Sequence, residues 1–96
     1  MKATLLRKKK INYPDGCILE IIVWQLPEAT PERSHGYKYR LNYSAANGVT
    51  LLRFDNEAGK GDHVHDLEIE FPYKFESLDK LFHDFSEGVN KARGRK

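Results

Sequence analysis

Two imidazoles, two cations and three carboxylates fall within one stretch, Arg53-Phe54-Asp55-Asn56-Glu57-Ala58-Gly59-Lys60-Gly61-Asp62-His63-Val64-His65. A plain link between strands needs none of these groups. Histidine titrates near neutral pH, so His63 and His65 suit a general acid and a general base. Lys60 and Arg53 can neutralise a phosphate, and Gly59 and Gly61 let backbone N–H groups approach an oxyanion. The candidate catalytic residues are therefore His63, His65 and Lys60. The candidate phosphate- or substrate-binding residues are Arg40, Arg53, Lys38, Asp55, Asn56, Gly59, Gly61 and Asp62, with Asp62 also placed to orient an imidazole. The plainer reading is a flexible Gly-Lys-Gly turn followed by histidines on a strand surface.

Two other chemistries are weaker. Gly59-Lys60-Gly61 is not a nucleotide-binding P-loop, because the glycine spacing is wrong and no Ser or Thr follows the lysine. His63 and His65 point the same way in a strand, roughly 6 to 7 Å apart along the backbone. A metal would need a third ligand from Asp62, Asp55 or elsewhere, so neither a metal nor another cofactor is assigned.

The surrounding elements must hold these groups. Thr4 to Ile11 reads as a strand, and Tyr13-Pro14-Asp15-Gly16 has turn chemistry. Cys17 to Leu26 is an apolar run expected to be a central strand covered on both faces. Trp24 within it is expected in the core. Residues 37 to 43 alternate, with Tyr37, Tyr39, Leu41 and Tyr43 on one side and Lys38, Arg40 and Asn42 on the other. Asn47-Gly48 is a strong hairpin signal, and 49 to 55 returns as the next strand. Residues 63 to 71 read as one last strand, in which His63, His65, Leu67, Ile69 and Phe71 share a parity. Ser77 can cap a helix, and Leu78, Leu81, Phe82, Phe85 and Val89 form its apolar stripe. These elements predict one α+β domain spanning 1–96: an antiparallel meander of about five strands with a C-terminal helix packed on one face.

Composition sets the outer limits. The 96 residues allow one modest core and no separate cofactor domain. With 16 basic against 14 acidic residues, net charge alone names no nucleic-acid partner. The basic residues do cluster, at Arg7 to Lys10 and again at Lys91, Arg93, Arg95 and Lys96, where solvated edges are the simpler reading. The single cysteine, Cys17, excludes an internal disulfide and reads as a buried hydrophobe. No apolar run reaches membrane-spanning length and no signal-peptide pattern opens the chain, so a cytoplasmic location is expected.

Several segments together resemble one family. They are Trp24-Gln25-Leu26-Pro27, His35-Gly36-Tyr37-Lys38-Tyr39-Arg40-Leu41, the Phe54-Asp55-Asn56-Glu57 segment running into Gly59-Lys60-Gly61-Asp62-His63-Val64-His65, and Tyr73-Lys74-Phe75 ahead of Asp84-Phe85. The pattern is similar to the TumE-type toxins of bacterial toxin–antitoxin systems. The resemblance implies a toxin neutralised by a helix-turn-helix antitoxin, with self-association as a homodimer left open. The residue chemistry adds an expectation of metal-independent RNA cleavage by His63 and His65. The alternatives are a non-catalytic module that binds RNA, nucleotide or protein, and a metal-dependent hydrolase built on the same histidines.

Overall fold

The computed structural model describes residues 2–31, 33–57 and 61–94. Its strands are β1 (Thr4–Asn12), β2 (Ile18–Gln25), β3 (Tyr37–Ser44), β4 (Thr50–Asp55), β5 (His63–Asp66) and β6 (Ile69–Pro72), followed by helix α1 (Leu78–Gly94). The sheet is an antiparallel meander in chain order, β1 to β6. The α+β class and the helix on one face are as expected.

The sixth strand comes from a turn that the residue alternation hides. Residues 63 to 71 do not run as one strand, because the chain reverses at Leu67-Glu68 and pairs Asp66 with Ile69. Leu67 takes a φ of 57°, a left-handed conformation that costs a branched residue roughly 1–2 kcal/mol. The reversal changes faces: Ile69 and Phe71 lie with Asp66 and Val64, whereas His63 and His65 lie with Pro72 and Glu70. The histidines therefore do not extend an apolar face. At the Asn47-Gly48 turn the glycine has a φ of 88°, and the Asn47 side chain accepts from the Val49 N–H, as that dipeptide predicts.

The core lies between one face of the sheet and α1. Tyr39, Leu41, Tyr43, Leu52, Phe54 and Val64 are buried with Leu81, Phe85 and Val89 of the helix. The tyrosine alternation thus supplies the helix-covered face. Ser77 accepts from the Lys80 N–H and caps α1, with Asp79 in the first turn and Lys91 and Arg93 in the last. Gly88 lets α1 lie close to β4: a Cβ there would stand 2.6 Å from the Leu52 side-chain terminus and force it to shift.

The two ends of the helix are tied down by polar contacts. Near its start, Asp84 accepts from the Tyr73 hydroxyl and from Lys80. Burial pushes that carboxyl up, but the Lys80 and Tyr73 hydrogen bonds outweigh it and hold it below the usual carboxylate range. At the C-terminal end Arg93 is not a frayed tail. Its guanidinium sits 3.8 Å from the Tyr13 ring centroid, donates to the Tyr43 hydroxyl and lies 3.4 Å from Asp15.

The helix covers only one face, so β2 is not enclosed on both sides as expected. Leu19 and Val23 are buried, while Ile22 and Trp24 on the opposite face are half-buried. That open face carries the candidate site.

Candidate functional site on the open face of the sheet

Register builds the site as two polar rows. Residues directly opposite each other in antiparallel strands share a face, with Cβ atoms about 4.5–5.5 Å apart. One row runs Lys10, Glu20, Asn42, Arg53, His65, Glu70 across all six strands. The neighbouring row runs Lys8, Ile22, Arg40, Asp55, His63, Pro72. Lys38 and Trp24 are paired one step further on the same face. The structure thus brings Lys38, Arg40, Arg53, Asp55, His63 and His65 onto one surface.

Asp55 is the pivot of this surface. Its carboxylate is 3% exposed, yet it meets the Arg53 Nε at 3.0 Å and the His63 Nε2 at 2.7 Å. Both approaches are ion contacts out of line with the N–H directions, so Asp55 Oδ1 and Arg53 Nε count among the buried atoms without a hydrogen bond. On its other side His63 donates from Nδ1 to the Gly61 carbonyl, at 2.9 Å. His65 packs edge-on against His63 with ring centroids 5.1 Å apart, and its side chain is 23% exposed. Glu70 completes the group, its Oε1 standing 3.4 Å from His65 Nε2 and 3.5 Å from His63 Nε2.

Other sequence candidates have different places. Gly59 and Lys60 lie outside the described residues. Gly61, at a φ of 69°, presents its carbonyl to His63. Asp62 does not orient His63 or His65. It turns to the helix-covered side, where it accepts from the Tyr39 hydroxyl at 2.6 Å and from His35 Nε2 at 2.9 Å. His35 Nδ1 accepts the Tyr37 N–H, which fixes the proton on Nε2, and Phe75 stacks on the ring with centroids 4.0 Å apart. Burial first, and then the Asp62 carboxylate, push the Tyr39 hydroxyl far above its ordinary range, so it remains a donor.

Asn56 is a structural clamp rather than a free ligand. It is buried, and its side chain copies a strand edge by accepting from the Tyr39 N–H and donating to the Tyr37 carbonyl. Its own carbonyl accepts from Arg33 Nε at 3.0 Å. Asn56→Ala strands two backbone groups at the mouth of the site, and an unmet buried group costs about 1–3 kcal/mol. The expected loss is about 2–4 kcal/mol by urea unfolding, with the slope of the transition unchanged. A loss below about 0.5 kcal/mol would mean that water replaces the clamp without penalty.

Two clefts lie to one side of the histidines and share Ile22 and Arg40. The larger, about 530 Å³, is lined by Trp24, Arg33, Lys38, Arg40, Asp55 and Asn56 among others. The smaller, about 270 Å³, adds Lys8, Lys9, Lys10, Glu20 and Asn42. Among the described residues no carboxylate pairs with Lys8, Lys10, Lys38 or Arg40. These four cations beside a half-buried indole form an anion-seeking face with an aromatic platform. The sequence reading missed Lys8, Lys10, Trp24, Arg33 and Glu70. Alternation in β1 and β2 would have put the first three on this face, once the helix was assigned to the other.

The molecule is thus a small meander with one face sealed by a helix and the other polar, with cations over β1 to β3 and paired histidines on β5. The chain belongs to the TumE toxin family: the family model described as Toxin TumE matches residues 2–93. No curated protein and no solved structure matches it. Among the described residues no helix is long and apolar enough to cross a membrane.

Proposed function

We propose that this member of a toxin family acts on RNA through the open face of its sheet, and that an antitoxin, of helix-turn-helix type, silences it by direct binding. The observation that carries the reading is that Lys8, Lys10, Lys38 and Arg40, with Trp24 among them, lie across β1 to β3 on the same open face as the Asp55, His63 and His65 cluster. Cations that no carboxylate pairs with among the described residues suit a phosphodiester backbone, and a half-buried indole suits an unstacked base.

Cleavage then needs no cofactor. A base takes the 2′-hydroxyl proton, the 2′-oxygen attacks phosphorus, and the bond from phosphorus to the 5′-oxygen breaks. An acid returns a proton to that leaving oxygen, giving a 2′,3′-cyclic phosphate and a 5′-hydroxyl. His65 is the solvent-reached member of the pair. His63, held between Gly61 and Asp55, is the positioned one. Arg53 and Arg40 meet the charge that develops on phosphate.

Removing charge tests the interface separately from the chemistry. Lys38→Gln and Arg40→Gln are expected to weaken binding to a short single-stranded RNA. Each should also reduce the slope of log affinity against log salt by about 0.7 per lost phosphate contact. Unchanged affinity and slope in the double variant would remove this face as the RNA-binding surface. Both residues are exposed, so folding is not at issue.

A further inference from the structure

We propose that His63, His65 and Glu70 form a site for a single zinc-like transition-metal ion, and that the ion switches off the proton-transfer pair it occupies. The site goes beyond the RNA reading, while its silencing effect rests on that reading.

The spacing of the three atoms is the first observation. His63 Nε2, His65 Nε2 and Glu70 Oε1 all lie within 4.8 Å of one another. The carboxylate oxygen stands 3.5 Å and 3.4 Å from the two nitrogens. Those gaps are long for charge-assisted hydrogen bonds, which fall near 2.7–2.9 Å. They match the separation of neighbouring ligands around a tetrahedral ion, about 3.3–3.4 Å for bonds of 2.0–2.1 Å. The two nitrogens lie within 4.8 Å of each other and would close toward about 3.3–3.4 Å around an ion. Two imidazoles with one carboxylate suit zinc and its neighbours rather than magnesium or calcium, which favour all-oxygen sites.

The hydrogen bonds supply an independent observation. His63 spends its Nδ1 proton on the Gly61 carbonyl, the outer contact that turns the Nε2 lone pair of a histidine toward a metal. Asp55 Oδ1 lies 2.7 Å from His63 Nε2, so a carboxylate stands beside that nitrogen. His65 Nε2 is buried, faces the same point and has no hydrogen-bond partner. Buried polar atoms are ordinarily satisfied, so the unpartnered His65 nitrogen, standing beside the Glu70 carboxylate, marks a place for a ligand. Asp55 itself is held by Arg53 and would act as an outer partner to the ion.

An ion here takes both nitrogens that the cleavage reading uses to move protons. Metal loading and acid–base turnover at this site then exclude each other.

The test uses the full chain freed of metal by a chelator and dialysed. Zinc is titrated calorimetrically, in competition with a chromophoric chelator of known affinity. The expected result is one ion per chain, with affinity weakened more than about tenfold in Glu70→Gln and in His65→Gln. Glu70 is exposed on an edge strand, so its variant folds irrespective of the outcome for His65. No competition with the chelator, or equal affinity in wild type and both variants, would overturn the site. RNA cleavage that falls in step with zinc occupancy supports the silencing effect. Cleavage that needs zinc and stops in chelator would overturn the silencing and the metal-free reading together, while the titration still reports the site.

Discussion

Asp55→Ala is expected to be the most destabilising single substitution on the open face, costing about 3–5 kcal/mol. The carboxylate is 3% exposed and faces the Arg53 guanidinium and the His63 imidazole. Removing it leaves a guanidinium and an imidazole crowded without an anion, and the cost is their uncompensated desolvation rather than the value of the lost contacts. For a chain of this size each kcal/mol moves Tm by about 4–8 °C, so a fall of at least ~12 °C is expected. Asp55→Asn keeps the shape and one acceptor, and should recover part of the loss. Calorimetry on the three proteins decides the matter. A fall of under ~5 °C for the alanine variant would show that water already solvates this pair and that Asp55 is not the pivot described above.

His65→Gln is expected to abolish RNA cleavage with little effect on the fold. Positioned acids and bases contribute typically about 10²–10⁴-fold to rate, so at least a hundredfold loss is the expected result. The imidazole is 23% exposed and its Nε2 has no hydrogen bond to lose, so Tm should shift by only a few degrees. His63→Gln behaves differently on this account. That ring is 6% exposed and engaged by Asp55 on one side and Gly61 on the other, so stability and activity fall together. Single-turnover cleavage by the His65 variant, alongside its melting curve, separates the two roles. A variant that folds normally and cuts at the wild-type rate would exclude His65 from proton transfer.

The residues that were legible in the sequence, and those that were not, divide along physical lines. Alternation from Tyr37 to Tyr43 was readable because one side of β3 is sealed by α1 and the other is open. Burial enforces such a pattern. The helix announced itself through Ser77 and a stripe that the core fills. The hairpin at Leu67-Glu68 did not, since it carries no glycine or asparagine and is closed by a leucine forced into positive φ. Leu67, Ile69 and Phe71 keep the parity of His63 and His65 and so mimic one continuous strand. That hidden turn is also why Glu70 was overlooked: only the reversal sets it opposite His65. Asp62 was assigned to the neighbouring histidines by adjacency. A residue at a strand entry can face either side, and the buried Tyr39 hydroxyl drew it to the other. Trp24 reads as core from the apolar run around it, and that run does not report that β2 has only one covered face.

The central claim is that the open face cuts RNA by acid–base chemistry at the histidine pair. The most direct measurement incubates the purified chain with a defined single-stranded RNA in excess chelator and analyses the ends of the fragments. The expected result is cleavage without metal, fragments ending in 2′,3′-cyclic phosphate and 5′-hydroxyl, and no fragments with His65→Gln. RNA that is bound yet stays intact, or fragments bearing 5′-phosphate that appear only when a metal is restored, would contradict it.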